Sequence, residues 1–135
     1  MDAAEIPPGF ALESGTDPAE DMIGPFYLAR LETDIHAGMR VEPRHCNGMA
    51  SVHGGVLLTF ADFALCAQAR YLSGDRHIVT VSLNSEFLDT APVGAWLSTT
   101  GEVSRRTGRL VFVRGMIHHE GTPVLAYSGI GKRIK

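Results

Sequence analysis

Asp62 is the only charged residue between Val56 and Ala69, in a run that is otherwise almost wholly apolar. An ionised carboxylate buried without partners costs roughly several kcal/mol. Its presence there points either to a core acid satisfied by hydrogen bonds or an Arg, or to a reacting acid or base. Just upstream, His53-Gly54-Gly55 opens the same apolar run. A helix that starts on two glycines offers unobstructed N–H groups at the positive end of its dipole, where a developing oxyanion can be stabilised. The plainer reading of the glycines is a tight turn, and that of His53 is a hydrogen-bond partner orienting the helix start.

Spacing limits what these groups can do together. On a helix, Gly55, Thr59, Asp62, Cys66 and Ala69 share one small or polar face, because steps of three and four residues return to the same side. At ~1.5 Å of rise per residue, Gly54 and Asp62 are about 12 Å apart along the axis. That is too far for both to act on one carbonyl and its attacking water. Two such helices running antiparallel across a two-fold axis would bring Asp62 of one chain opposite Gly54 of another, so the expected unit is at least a dimer with two equivalent sites.

The surrounding pattern predicts the elements that hold them. Ile35, Ala37, Met39 and Val41 alternate with polar or small residues, as in a half-buried strand, and a shorter strand is expected over Phe26 to Leu31. Pro43 to Val52 reads as a loop, and Gly54 to Leu72 as a long buried helix closed by Gly74. His77 to Leu88 alternates again, with Val79, Val81, Leu83 and Phe87 on one face and Thr80, Ser82, Asn84 and Glu86 on the other. Two further strands, Ala95 to Arg106 and Arg109 to His118, are joined at Thr107-Gly108, and a last one spans Val124 to Ile130. Strand, helix, then antiparallel strands joined by short turns is an α+β order: one helix packed on a curved sheet. A parallel sheet would need crossover helices that the sequence lacks.

At 135 residues the chain suits one domain over 26–135, preceded by an arm over 1–25, rich in Pro and Gly, with one short helical turn. A net charge of −3 with scattered Lys and Arg gives no stripe for nucleic acid. The start lacks the basic and apolar segments of a secretory signal, and no apolar run approaches the ~20 residues needed to cross a bilayer, so a cytoplasmic protein without membrane contact is expected. Cys46 and Cys66 read as reduced thiols. His36, His45, His77, His118 and His119 show no ligand spacing, so no metal site is expected. Arg105, Arg106 and Arg109 around the hairpin, with Lys132, Arg133 and Lys135, could meet phosphates or be an ordinary solvated surface.

Asn47, His53-Gly54-Gly55 and Asp62, in this spacing, resemble the signature of hotdog-fold acyl-CoA thioesterases of the PaaI-like branch, and the likeness runs from Asp34 to the C-terminus. The resemblance implies a hotdog fold, a long helix wrapped by antiparallel sheet, with sheets joined between two subunits and dimers often paired as tetramers. It implies Asp62 as general base or nucleophile toward an acyl-CoA thioester, the Gly54 amide polarising the carbonyl, and Asn47 positioning the carbonyl or the water. Thr80 matches a position where the family carries a hydroxyl that orients the water, with Ser82 as the alternative if the register differs by two. His53, Gly55, Arg106 and Arg109 would contribute to binding substrate, and no cofactor is implied. Two other readings stay open: a hotdog hydratase or dehydratase using a loop His such as His45, and a non-catalytic acyl-thioester binding module. The acyl group is left undefined between small, medium-chain and aryl, because Phe60, Phe63, Tyr71, Phe87 and Trp96 serve equally as pocket or core.

Overall fold

A computed structural model describes residues 5–74 and 77–134. The elements in chain order are β1 (Ala11–Glu13), α1 (Pro18–Ile23), β2 (Phe26–Arg30), β3 (Ile35–Arg40), a 3-10 turn at Pro43–His45, α2 (Gly54–Ser73), β4 (Ile78–Phe87), β5 (Trp96–Arg106), β6 (Leu110–His119) and β7 (Thr122–Arg133). The seven strands form one sheet in the order β1-β2-β3-β5-β6-β7-β4, with every neighbouring pair antiparallel. This is the hotdog architecture: one long helix, α2, lying in a curved antiparallel sheet whose strands β3 to β7 all touch it.

The helix is buried on most sides because its residues are apolar on most sides. Leu57, Phe60, Ala61, Phe63, Ala64, Leu65, Ala67 and Ala69 are all in the core. The sheet comes close enough to enclose them where it lacks side chains: a Cβ at Gly129 would run into Leu65, and one at Gly101 into Gln68. Gln68 is held in the core by the Tyr127 hydroxyl, which donates to its Oε1 at 2.7 Å. At the far end Gly74, at φ 76°, takes the left-handed turn that stops the helix.

Two local expectations differ from the structure. The His77–Leu88 alternation breaks at a bulge: Thr80 pairs with Gly131 but Ser82 with Ile130. Val79 and Val81 therefore point outward, 42% and 57% exposed, whereas Leu83 packs on the core and Thr80 faces α2. The N-terminal stretch, read as a loose arm, carries β1 paired to β2 and α1 packed on α2. It is tied down through Arg44, which donates to the carbonyls of Met22 and Gly24, and through the Phe10 ring set edge-on to Trp96 with centroids 5.1 Å apart. Pro and Gly content concealed these partners, all of them distant in sequence.

Candidate active site

Asp62 stands in the third turn of α2, half-buried, and β4 supplies its partner. The Thr80 hydroxyl donates to Asp62 Oδ1 at 2.5 Å, and the Cys66 sulfur lies 3.3 Å from the same hydroxyl. Thr80 thus holds the carboxylate itself, leaving Oδ2 for a water. Burial pushes the Cys66 thiol up to about 11, with the Thr80 hydrogen bond opposing and Asp62 adding to the shift. Cys66 is therefore a neutral thiol near pH 7 and no nucleophile. Replacing Thr80 by Val removes a hydrogen bond to a charged group and is expected to lower kcat about tenfold or more. Thr80→Ser should keep the rate; a Val variant as fast as wild type would take Thr80 out of the site.

At the other end of α2, the first amides are distributed by His53. Its Nδ1 accepts from Gly55 N–H at 2.8 Å, and its carbonyl accepts from Val56 and Leu57. Gly54 N–H is left with no partner among the described residues. The Phe87 ring lies across this glycine, so that a Cβ there would sit 3.2 Å from Phe87 Cε1. His53 and Gly55 are thereby paired with each other as a helix cap. His53→Ala should cost about 1 kcal/mol of stability, recovered by Asn, with little change in kcat. A collapse in kcat at unchanged urea midpoint would move His53 into the chemistry.

Asn47 Oδ1 accepts from the amides of Met49 and Ser51, at 2.9 and 3.2 Å, and so shapes the loop in which Ala50 sits at φ 59°. The amide's Nδ2 is the end not engaged there. Ser82 accepts from Asn84 Nδ2 at 3.4 Å beyond the bulge and is not brought to Asp62. Arg106 and Arg109 do not line the Asp62 cavity. β7 instead brings Lys132 opposite both Leu110 and Val79, so the hairpin bases and the C-terminal bases converge at one end of the sheet; Lys135 lies outside the described residues. Among the candidate aromatics, Phe60 and Phe63 stack on Phe26 in the core, Trp96 lies between Phe10 and Tyr27, and Phe87 alone covers the helix start.

Two groups missed in the sequence complete the surroundings of Asp62. A cavity of about 500 Å³ lies between α2, the start of β4 and the N-terminal segment, and is lined by Asp62, Thr80, Cys66, Arg70 and, from α1, Glu20. The Glu20 carboxyl is pushed up to about 7, chiefly by burial and then by Asp17 and Asp62, with Arg70 opposing. Arg70 was detectable, being eight residues past Asp62 on the same helix face. Glu20 carried no signal, since only the folding of the N-terminal segment onto α2 brings it there. Among the described residues no group of His, Cys, Asp and Glu is placed to hold a metal ion, and no helix is long and apolar enough to cross a membrane.

A long helix cradled by a curved antiparallel sheet defines a hotdog-fold protein. The chain belongs to the Thioesterase superfamily, which matches residues 49–126. It is 31% identical to a Pseudomonas aeruginosa protein provisionally classed as an esterase, over 93% of this chain and 95% of that one. Its structure resembles the E. coli PaaI protein from the phenylacetic acid degradation operon, with a TM-score of 0.78 and 21% identity over 89% of this chain and 86% of that one. It is also similar to zebrafish thioesterase superfamily member 2, with a TM-score of 0.77 and 19% identity over 88% and 89% of the two chains. At those identities the two structures speak for the fold.

Proposed function

We propose that the protein hydrolyses acyl-CoA thioesters at sites shared between two subunits. The observation that carries this reading is the layout of α2: a carboxylate fixed by Thr80 and a Gly54 amide without a partner among the described residues, on one helix but about 12 Å apart along it. Each group lacks a complement that a second, antiparallel copy would supply. Asp62 of one subunit takes a proton from water as the water oxygen attacks the thioester carbonyl; the carbonyl oxygen becomes an oxyanion held by Gly54 N–H of the other. As the oxyanion re-forms its carbonyl the C–S bond breaks, the proton held by Asp62 passes to the departing sulfur, and thiol and acid are released with Asp62 ionised again. Asn47 Nδ2 positions the carbonyl or the water, and no cofactor enters.

An unpaired edge supports the dimer. β4 ends the sheet, is ten residues long, and exposes Val79 and Val81 beside its open hydrogen-bonding groups. Long edges of this kind invite pairing, and a second β4 across a two-fold axis would continue the sheet and bring the two α2 helices together. Pairs of such dimers would make a tetramer, the larger of the two assemblies the resemblance allows. The nucleotide end of CoA then meets the basic cluster that includes Arg106 and Arg109, and the reaction takes place in the cytoplasm.

A hydratase using His45 is disfavoured. That ring is buried, 2% exposed, with Nδ1 accepting from Glu42 N–H and Nε2 donating to the Ile23 carbonyl, so both nitrogens serve the backbone. A panel of small, medium-chain and aryl acyl-CoA esters assayed for free thiol tests the proposal. Thiol release with at least one of them is expected; binding without release would leave an acyl-thioester binding module.

A further inference from the structure

Under the thioesterase reading, the acyl group must lie beside Asp62, and the cavity there is unusual for one meant to hold a hydrocarbon. Its floor on α2 carries Asp62 and Arg70, and α1 closes it with acidic residues. Three of the acids around it are already engaged. Glu13 pairs with Arg30 at 2.9 Å, Asp17 caps α1 by accepting from Glu20 N–H, and Asp21 accepts from Gly15 N–H. Glu20 differs from them: its carboxyl is half-buried, and no hydrogen bond reaches it among the described residues. Burial is the main reason it holds its proton up to about pH 7. An alkyl or plain aryl acyl group filling this space would bury the carboxyl further and give it nothing to bond.

We propose that Glu20 determines acyl specificity, and that the thioester taken by this cavity carries a hydrogen-bond donor, a hydroxyl or an ammonium, on its acyl chain. The inference rests on the proposed hydrolysis and adds a substrate class to it. Its basis is general: a site built to bond a polar group rejects the analogue that lacks it more strongly than an apolar pocket rejects an added hydroxyl. Glu20 is positioned for the task because α1 is seated on α2 and because Arg70 and Asp62 flank the same space. A hydroxyl can donate to the ionised carboxyl or accept from the neutral one, and an ammonium donates to the ionised one.

Matched esters test this at two lengths. Butyryl-CoA is compared with 3-hydroxypropionyl- and β-alanyl-CoA, and hexanoyl-CoA with 5-hydroxypentanoyl- and 5-aminopentanoyl-CoA, so that O–H or an ammonium replaces the terminal methyl. Wild type should favour a donor-bearing ester over its methyl partner by about tenfold or more in kcat/KM at one length or both. Whether the hydroxyl or the ammonium is preferred identifies the donor. Glu20→Leu should abolish or reverse the preference, and Glu20→Gln, which still bonds a hydroxyl, should retain it for the hydroxyacyl esters. A wild type that turns over the methyl esters equally well at both lengths, or a Leu variant that keeps the preference, overturns the proposal and leaves the hydrolase reading standing. No thiol release from any of the six overturns this proposal, and the hydrolase reading falls with it only if the aryl esters release no thiol either.

Discussion

Asp62→Asn should lower kcat for thioester hydrolysis by about 10²- to 10⁴-fold, the usual contribution of a positioned general base. The substitution is nearly isosteric, and the amide oxygen can still accept from Thr80, so the local geometry survives while the ability to take a proton from water is lost. α2 is anchored by Phe60, Ala64 and Leu65 in the core, none of which the change touches. The variant should therefore keep the wild-type circular dichroism and elution volume. KM should move much less than kcat, because removing a proton acceptor weakens the transition state and not the ground-state complex. Turnover by Asp62→Asn within about tenfold of wild type would mean that the water is activated elsewhere, and the mechanism would fall.

The layout of α2 was readable because it is written along one continuous segment. A single charge among apolar residues, two glycines after a His, and a stop at Gly74 are local patterns with local causes, and the helix formed within a residue of its expected end. The strands were readable for the same reason, through their period of two. Features set by contacts across the chain were not. The bulge after Thr80 moves the inward face of β4 from Thr80 to Leu83, and no residue in β4 announces it. His45 looked available for catalysis until the backbone of residues 23 and 42 was seen to occupy both its nitrogens. Asn47 was expected to position the carbonyl or the water, and nothing in its sequence setting told that its side-chain carbonyl builds the loop through Met49 and Ser51. Glu20 shows the limit most clearly: its role depends on α1 being docked against a helix more than thirty residues later.

Gly54→Pro should reduce kcat by about 10²- to 10³-fold, the loss that follows deletion of one oxyanion donor, while the fold need give only at the exposed Phe87 ring. Proline is suited to the first position of a helix because it lacks only an amide that the helix does not use. His53, at φ −69° and ψ 138°, already has the extended backbone favoured before proline. Gly54→Ala is the control: it keeps the N–H, and its Cβ need only displace the half-exposed Phe87 ring. Mixing then decides where the two groups meet. Homodimers of Asp62→Asn and of Gly54→Pro each lack one group at both sites, but a heterodimer of the two has one site carrying both defects and one carrying neither. Random reassortment of equal amounts makes half the dimers mixed, so about a quarter of wild-type activity should return. If Asp62 and Gly54 served the same site within one chain, every site in the mixture would carry a defect and no activity would return. Recovery near a quarter would show that catalysis belongs to the interface between two chains.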